Sequence, residues 1–419
     1  MRLLSCPLCE FEQLIELFDA HNAFVSVGEL QKEPFQSNVD CGYVNYTDQY
    51  CKGELDIKIL QCSRCGYIYN SLFDEKKMYE AYSNNKYITP KAISNVMSNF
   101  ALQLSNKLKR YILEDSVGLE IAPGSCDILN ALHSSFKFLY SVDPSCNTEV
   151  LLKNYDNIFH IKDFFNYSNI KNKLKHKINF IIFRHLIEHI CTPKSFLTDV
   201  VSLLENNGII YIETPNVTEI FSSKRFYELR HEHCGYWNKN TLINVMCDLG
   251  CELVEETYFY NRQWFGLIFK KTANKTKYSV IHLYNNMLTK ELYEAIAELE
   301  NILDNYQNIA IYGAGGHANS LITYLKTEIC MKIKIAIDKD TRRVGTYLQK
   351  SNIEIKHNCV SNLIGIDCVL MVMPCYEQNV FEEEIKKSVI EDKYHGDVIL
   401  TSKGIKVLKN KEIKCQKKF

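Results

Sequence analysis

The chain has 419 residues, 46% of them hydrophobic and 24% charged, with a formal net charge of −1. That length is too great for one hydrophobic core and sets an expectation of about two to four domains, while the composition excludes a disordered chain. Basic residues are scattered among acids, so no positive field exists to neutralise a phosphate backbone, and nucleic acid is excluded as a partner.

The segment Met1–Pro7 has no apolar stretch of signal-peptide length, and the most apolar run, Ile178–Phe183, is strand-sized. No membrane partner and a cytoplasmic location are therefore expected, with the 17 cysteines as reduced thiols or metal ligands. Residues 1–80 read as a small domain. Cys6-Pro7-Leu8-Cys9 and Cys62-Ser63-Arg64-Cys65 each put two thiolates on one tight turn, and four soft ligands in a closed tetrahedron suit structural Zn2+. Cys41 and Cys51 are alternative ligands, and a domain packed without metal is the plainer alternative. Leu55–Leu60 alternates like a strand.

Ile93, Val96, Met97, Phe100, Leu104, Leu108, Tyr111 and Ile112 recur at three- and four-residue steps, which predicts an amphipathic helix within 85–115. It opens a middle domain, 85–272. There, strand-like runs at Val117–Ile121, Phe138–Val142, Asn179–Phe183 and Gly208–Glu213 alternate with helical ones, which predicts an α/β fold with a mostly parallel sheet. A helix over Thr289–Tyr306 bridges to a third unit, 273–407, with strands at Asn308–Tyr312, Lys334–Ile337 and Cys368–Met373. The lysine-rich end, Leu408–Phe419, reads as a solvated tail.

The first strand of the middle domain, which holds Glu120, runs into Ala122-Pro123-Gly124-Ser125-Cys126-Asp127 and then a helix, the arrangement that lets backbone amides approach a ligand. Asp143 ends the next strand, where a carboxylate can take both hydroxyls of a ribose. Asp163 follows where an adenine amino group would be met. This order, with the block Asn179–Ile190, Pro193, Gly208 and Ile212–Asn216, resembles the class I methyltransferases that depend on S-adenosylmethionine. The resemblance implies donor binding by Glu120, Gly124, Asp143, Asp163 and His185, although the family has glycine where this chain has Ala122 and Cys126. His185-x-x-Glu188-His189 also matches an inverted zinc-peptidase pattern. That reading is set aside, because it needs a separate acidic third ligand in an unrelated fold.

Arg230-His231-Glu232-His233-Cys234-Gly235-Tyr236-Trp237 is the densest group of titratable and aromatic residues. In a loop, both histidines could face one pocket with the glutamate orienting them, as general base catalysis requires. A hydrogen-bonded structural loop or a metal patch is the alternative. Taken whole, the chain resembles the sugar C-methyltransferases of deoxysugar biosynthesis, which have an N-terminal zinc domain, a methyl-donor domain and a C-terminal Rossmann-like domain. In that family a His-Glu-His loop lies beside a dTDP-linked 4-keto sugar, and a proton next to the ketone is removed first. The resemblance implies His233 as base, Glu232 and His231 for orientation or enolate stabilisation, and Tyr236 as pocket lining. The family has tyrosine in place of Arg230, and a Gly-Gly-Ser turn in place of Gln263-Trp264-Phe265-Gly266. Arg230 can hold a phosphate or carboxylate.

Gly313-Ala314-Gly315-Gly316 follows a strand and opens a helix, as a phosphate-cradling turn does, and Asp338 ends the next strand. Gly313, Gly315, Gly316 and Asp338 are read as a site for the nucleotide of the substrate, with a purely structural role as the alternative. The leading expectation is thus C-methylation of a nucleotide-linked sugar. O- or N-methylation of a glycan or natural-product precursor, or a degenerate nucleotide-sugar-binding protein, stand beside it.

Overall fold

The computed structural model describes residues 4–36, 49–83, 91, 94–145, 148–149, 152, 155–272 and 279–415. Cys41, Ile93 and the last four residues of the predicted tail lie outside them. The fold is α/β, with three sheets. The first contains β1 (Leu14–Ala23), β2 (Leu55–Cys62) and β3 (Ile68–Asn70), all antiparallel. Its fourth strand, β9 (Gly235–Tyr236), comes from the end of the His-Glu-His segment and pairs through Ile68↔Tyr236 and Tyr69↔Gly235.

The central sheet holds β4 (Val117–Ile121), β5 (Phe138–Val142), β6 (Ile158–Ile161), β7 (Ile178–Arg184), β8 (Leu204–Pro215), β10 (Cys251–Phe259) and β11 (Trp264–Lys271). Its order is β6-β5-β4-β7-β8-β11-β10, with β11 antiparallel to both neighbours. β4 is buried along its whole length, as a parallel strand covered on both faces must be. The chain leaves β4 toward β5 and β6, then returns to β7 on the other side. The carboxyl ends of β4 and β7 therefore flank a topological switch point, where open α/β sheets bind ligands.

The predicted amphipathic helix spans Asn95–Lys109, starting at the Ser94 cap, which accepts a hydrogen bond from the Met97 N–H at 3.2 Å, and burying Phe100, Leu104 and Leu108. Tyr111 and Ile112 fall beyond its end. The bridging helix spans Asn286–Leu303, three residues earlier than its apolar pattern suggests, because Asn285 caps it through the Met287 N–H. The third sheet runs β14 (Glu354–His357), β13 (Ile333–Asp338), β12 (Ile309–Tyr312), β15 (Cys368–Met371), β16 (Asp397–Leu400) and β17 (Lys406–Leu408), parallel except for β17. A helix at Asn410–Cys415, with Ile413 buried, replaces the first part of the expected solvated tail.

The three sheets do not have three separate cores. Phe18 and Ile59 of the first sheet, Ile220 and Phe226 after β8, Leu292 and Leu299 of the bridging helix, and Ile311 of the third sheet belong to one continuous buried cluster. Among the described residues no helix is long and apolar enough to cross a membrane.

Candidate functional site

At the carboxyl end of β4 the backbone bends through Ala122 (φ 53°), Gly124 (φ 57°) and Cys126 (φ 64°). Alanine and cysteine thus adopt the left-handed conformation natural to glycine, at a cost of about 1–2 kcal/mol each. The glycine-type turn survives without two of its glycines. Cys126 gains in return by burying its side chain with Phe100, Leu104 and Leu129.

Glu120 is buried on β4, and its Oε2 has no hydrogen-bond partner among the described residues. Burial lifts its pKa to about 8, against the pull of the Arg184 guanidinium. An orphaned buried carboxylate oxygen beside a glycine-type turn at the switch point fits a ligand that brings its own positive charge. Asp143, at the end of β5, accepts the Ser145 N–H at 2.7 Å. Burial raises its pKa, while backbone hydrogen bonds from Ser145 and Gly124 pull the other way. Asp163 forms an ion pair with Lys173 at 2.9 Å, which lowers its pKa.

From β7 come Arg184 and His185. Arg184 donates to Glu213 Oε1 from Nε (2.9 Å) and Nη2 (2.5 Å), across the strand register that puts Arg184 opposite Glu213 of β8. His185 has φ 46°, with Nε2 at 3.1 Å from Glu213 and Nδ1 at 3.5 Å from Glu188. Burial opposes charge on this ring, but the two carboxylates outweigh it and raise its pKa. Trp264 packs edge-on against His185 with ring centroids at 4.2 Å, and Tyr260 packs on Trp264 at 4.6 Å. The departure at 263–266 therefore puts a large aromatic at this mouth, and Gln263 ties it to the third sheet through Pro374 O at 2.7 Å. The Arg184–Glu213 pair was missed in the sequence, where opposite charges ending two neighbouring strand-like runs are its only signal.

The His-Glu-His segment lies where all three sheets meet, and its histidines face different ways. His231 accepts the Asp74 N–H at Nε2 (2.9 Å), donates from Nδ1 to Val25 O (3.2 Å) and stacks on Phe73. Both nitrogens are thus spent on the backbone of the first unit, contrary to the expectation of a shared pocket. The reason is β9, which fixes the chain direction directly after the cluster. Glu232 Oε2 accepts from Ser26 Oγ (3.2 Å) and the Val27 N–H (3.1 Å). His233 faces the central sheet, with its ring 4.9 Å from that of His189, whose Nδ1 donates to Glu232 O at 2.9 Å. Tyr236 is buried; its hydroxyl accepts the Arg230 N–H (2.9 Å) and donates to Arg230 O (3.0 Å).

The Arg230 guanidinium donates to His233 Nε2 from Nη2 (3.0 Å) and Nε (3.3 Å). Burial first, then this positive charge, holds the pKa of His233 well below that of an ordinary histidine. Glu188, His189 and His233 each bring a potential ligand atom within 4.8 Å of the others. A guanidinium cannot accept, so His233 carries its proton on Nδ1 and offers this trio no third lone pair.

In the third unit, Asp338 accepts the N–H of Ala314 (3.0 Å) and of Asp340 (2.9 Å), stapling the glycine turn with both oxygens. Each oxygen of Asp338 thus already carries one backbone N–H. Gly313 has φ 98°, which requires glycine. A side chain on Gly316 would come within 2.8 Å of Val27 Cγ2 and 3.2 Å of Arg230 Nη1, whereas Gly315 faces open space. The room left by Gly316 is filled by the first unit and by Arg230. The four sulfurs of Cys6, Cys9, Cys62 and Cys65 lie within 4.8 Å of one another, with cross pairs at 3.6 and 3.5 Å. Tetrahedral Zn–S bonds of about 2.3 Å require sulfurs about 3.8 Å apart, so the donor set fits. Cys51 is buried elsewhere, in the shared core.

Residues 94–256 match the family model described as a methyltransferase domain. No curated protein matches the chain in sequence. Among solved structures, the chain is similar to the N-methyltransferase NodS from Bradyrhizobium japonicum in complex with S-adenosyl-L-homocysteine, at 12% identity over 43% of this chain and 89% of that one, TM-score 0.34. It is similar to a SAM-dependent methyltransferase from Archaeoglobus fulgidus at 17% identity over 41% and 94%, TM-score 0.33. A third, an S-adenosylmethionine-dependent methyltransferase from Clostridium acetobutylicum, has 11% identity over 47% and 99%, TM-score 0.34. Residues 94–256 are thus a methyltransferase domain, which makes the protein an enzyme.

Proposed function

We propose that the enzyme methylates a carbon of a nucleotide-linked keto sugar. The observation that carries this reading is His233, a buried imidazole kept neutral at the junction of the three sheets, between His189 of the donor unit and Arg230. Neutral imidazole is the form in which a general base starts its work. Glu120, Gly124, Asp143, Asp163 and His185 hold S-adenosylmethionine, which supplies a methyl group on a sulfonium. His233 takes the proton from the carbon next to the ketone, and the C–H electron pair passes into the enolate. S-adenosylmethionine, when bound, would supply the methyl group for the enolate carbon, its C–S electron pair leaving with the thioether.

Glu232 holds the guanidinium side of the loop, at 3.3 Å from Arg230 Nε. His231 and Tyr236 act as positioning residues, since their polar atoms grip backbone rather than substrate. Arg230 and the Gly313–Gly316 turn, with Gly315 open and Asp338 stapling it, face the nucleotide. Zn2+ on Cys6, Cys9, Cys62 and Cys65 anchors the sheet that β9 completes. The units are 1–80, 85–272 and 273–407, and the enzyme works in the cytoplasm.

One feature favours O- or N-methylation instead: the guanidinium on His233 Nε2, since such reactions need no carbon deprotonation. Titration calorimetry with S-adenosylhomocysteine tests the donor site first. Binding that is lost in Asp143→Ala supports it, and no binding to the wild type overturns it. Exchange of the substrate C–H with solvent deuterium then separates the reactions: the C-methyl reading requires exchange that depends on His233.

A further inference from the structure

We propose that Arg230 is a latch on the base: its guanidinium occupies Nε2 of His233, and an anionic group on the acceptor, a diphosphate, draws it off. The inference rests on the reading of His233 as general base. A guanidinium only donates hydrogen bonds, so Nε2 accepts from it and the single ring proton sits on Nδ1. Nε2 is then the sole lone pair of the ring, and Arg230 covers it with Nη2 at 3.0 Å and Nε at 3.3 Å. His233 cannot take a proton at Nε2 until that side chain moves.

The backbone of the loop is held independently of the side chain. The backbone of Arg230 is fixed at both its N–H and its C=O by the buried Tyr236 hydroxyl, so a swing of the guanidinium leaves the loop in place. Glu232 touches Arg230 Nε at 3.3 Å through one oxygen, while its other oxygen accepts from Ser26 and Val27. The Nη1 end reaches the third unit, 3.2 Å from where a Gly316 side chain would begin. A guanidinium pairs with phosphate through two parallel charge-assisted bonds, stronger than bonds to a neutral imidazole. A diphosphate on the acceptor therefore competes well for it. An acceptor without an anion leaves the base covered, so the latch selects for activated, phosphate-bearing acceptors.

Other charged or titratable groups facing His233 are His185, Glu188 and His189 from the segment after β7, His317 from the third unit, and Glu232 and Tyr236 from its own loop. Tyr82 reaches His189 at 3.4 Å. In the hydrogen bonds of the described residues, Nε2 accepts from Arg230 and from none of these groups.

The test is a histidine titration followed by NMR on the full-length protein with ring-13C histidine, the His233 signal being assigned by its loss in His233→Gln. The titration midpoint is expected to rise by about one pH unit or more in Arg230→Met, since a neighbouring positive charge is removed. Saturating inorganic pyrophosphate is expected to raise it similarly in the wild type and to add nothing in Arg230→Met. A midpoint unmoved in both, or moved in the variant alone, overturns the latch. A rise with pyrophosphate of equal size in the variant overturns it too, because the anion then acts on His233 directly. Methyl transfer is not part of the readout, so failure of the sugar reading shows up separately, as absent deuterium exchange with an intact midpoint shift.

Discussion

Glu120 offers the sharpest quantitative test of the donor site. Its carboxyl is buried on β4 with Oε2 unpartnered among the described residues, and its pKa stands at about 8 against 4.5 for a free glutamate. A carboxyl whose pKa is higher in the folded state binds a proton that the unfolded chain has already lost between those two values. Its contribution to stability is full below pH 4.5 and is lost as pH rises through 8. At about 1.4 kcal/mol per pH unit, the loss amounts to at most on the order of 5 kcal/mol. Glu120→Gln keeps shape and neutrality and removes the titration. The variant should melt at the same temperature as the wild type near pH 5 and several degrees higher near pH 8.5, measured by scanning calorimetry across that range. Donor binding should reverse the order, because the ammonium of S-adenosylmethionine pairs with a carboxylate and not with an amide. Calorimetry in buffers of different ionisation enthalpy should then detect close to one proton released on binding to the wild type at pH 7, and none for Glu120→Gln. Melting temperatures that run parallel for the two proteins from pH 5 to 8.5 would refute the reasoning.

Four further outcomes are expected. Ala122→Gly relieves a left-handed alanine worth about 1–2 kcal/mol, partly offset by the freer unfolded chain, so donor affinity should hold or improve; a tenfold loss would count against the turn as donor cradle. Glu213→Gln leaves the half-buried Arg184 guanidinium without its carboxylate and should cost at most about 3–5 kcal/mol in denaturant unfolding. Glu213 itself is held at a pKa of about 2, burial being outweighed chiefly by Arg184, so the pair's contribution should persist at neutral pH and fade only in strong acid. Cys62→Ser should abolish zinc retention by metal analysis and lower the melting temperature, since metal binding and folding are coupled in such sites. Tyr236→Phe strips the partner from a buried N–H and C=O of Arg230, at about 1–3 kcal/mol, and should lower kcat while leaving donor affinity unchanged.

The parts of this molecule that were legible in the sequence are those whose cause is local. The runs at Val117–Ile121 and Phe138–Val142 form strands at those bounds, because a short, mostly apolar stretch between turn signals favours a buried strand. The cysteine pairs converge because each is already half a site on its own turn. Helix ends shifted where a side-chain cap, Ser94 or Asn285, overrode the apolar period.

What the sequence could not show is set by contacts between residues far apart in the chain. His231 and His233 are two residues apart and look equivalent, yet β9 pairs with β3 more than 160 positions away and sends one ring to Val25 and the other to His189. The glycine turn of the third unit satisfies the pattern of a phosphate site, but the pattern records only that side chains are forbidden there. It does not record what fills the space. At Gly313 the cause is a backbone angle; at Gly316 it is Val27 and Arg230 arriving from two other units. The same distant packing makes Arg230 informative. Read in sequence, it is a substitution in a resembling motif; placed against His233 Nε2, it decides which nitrogen can act as base, and so ties the acceptor's charge to the chemistry of the loop.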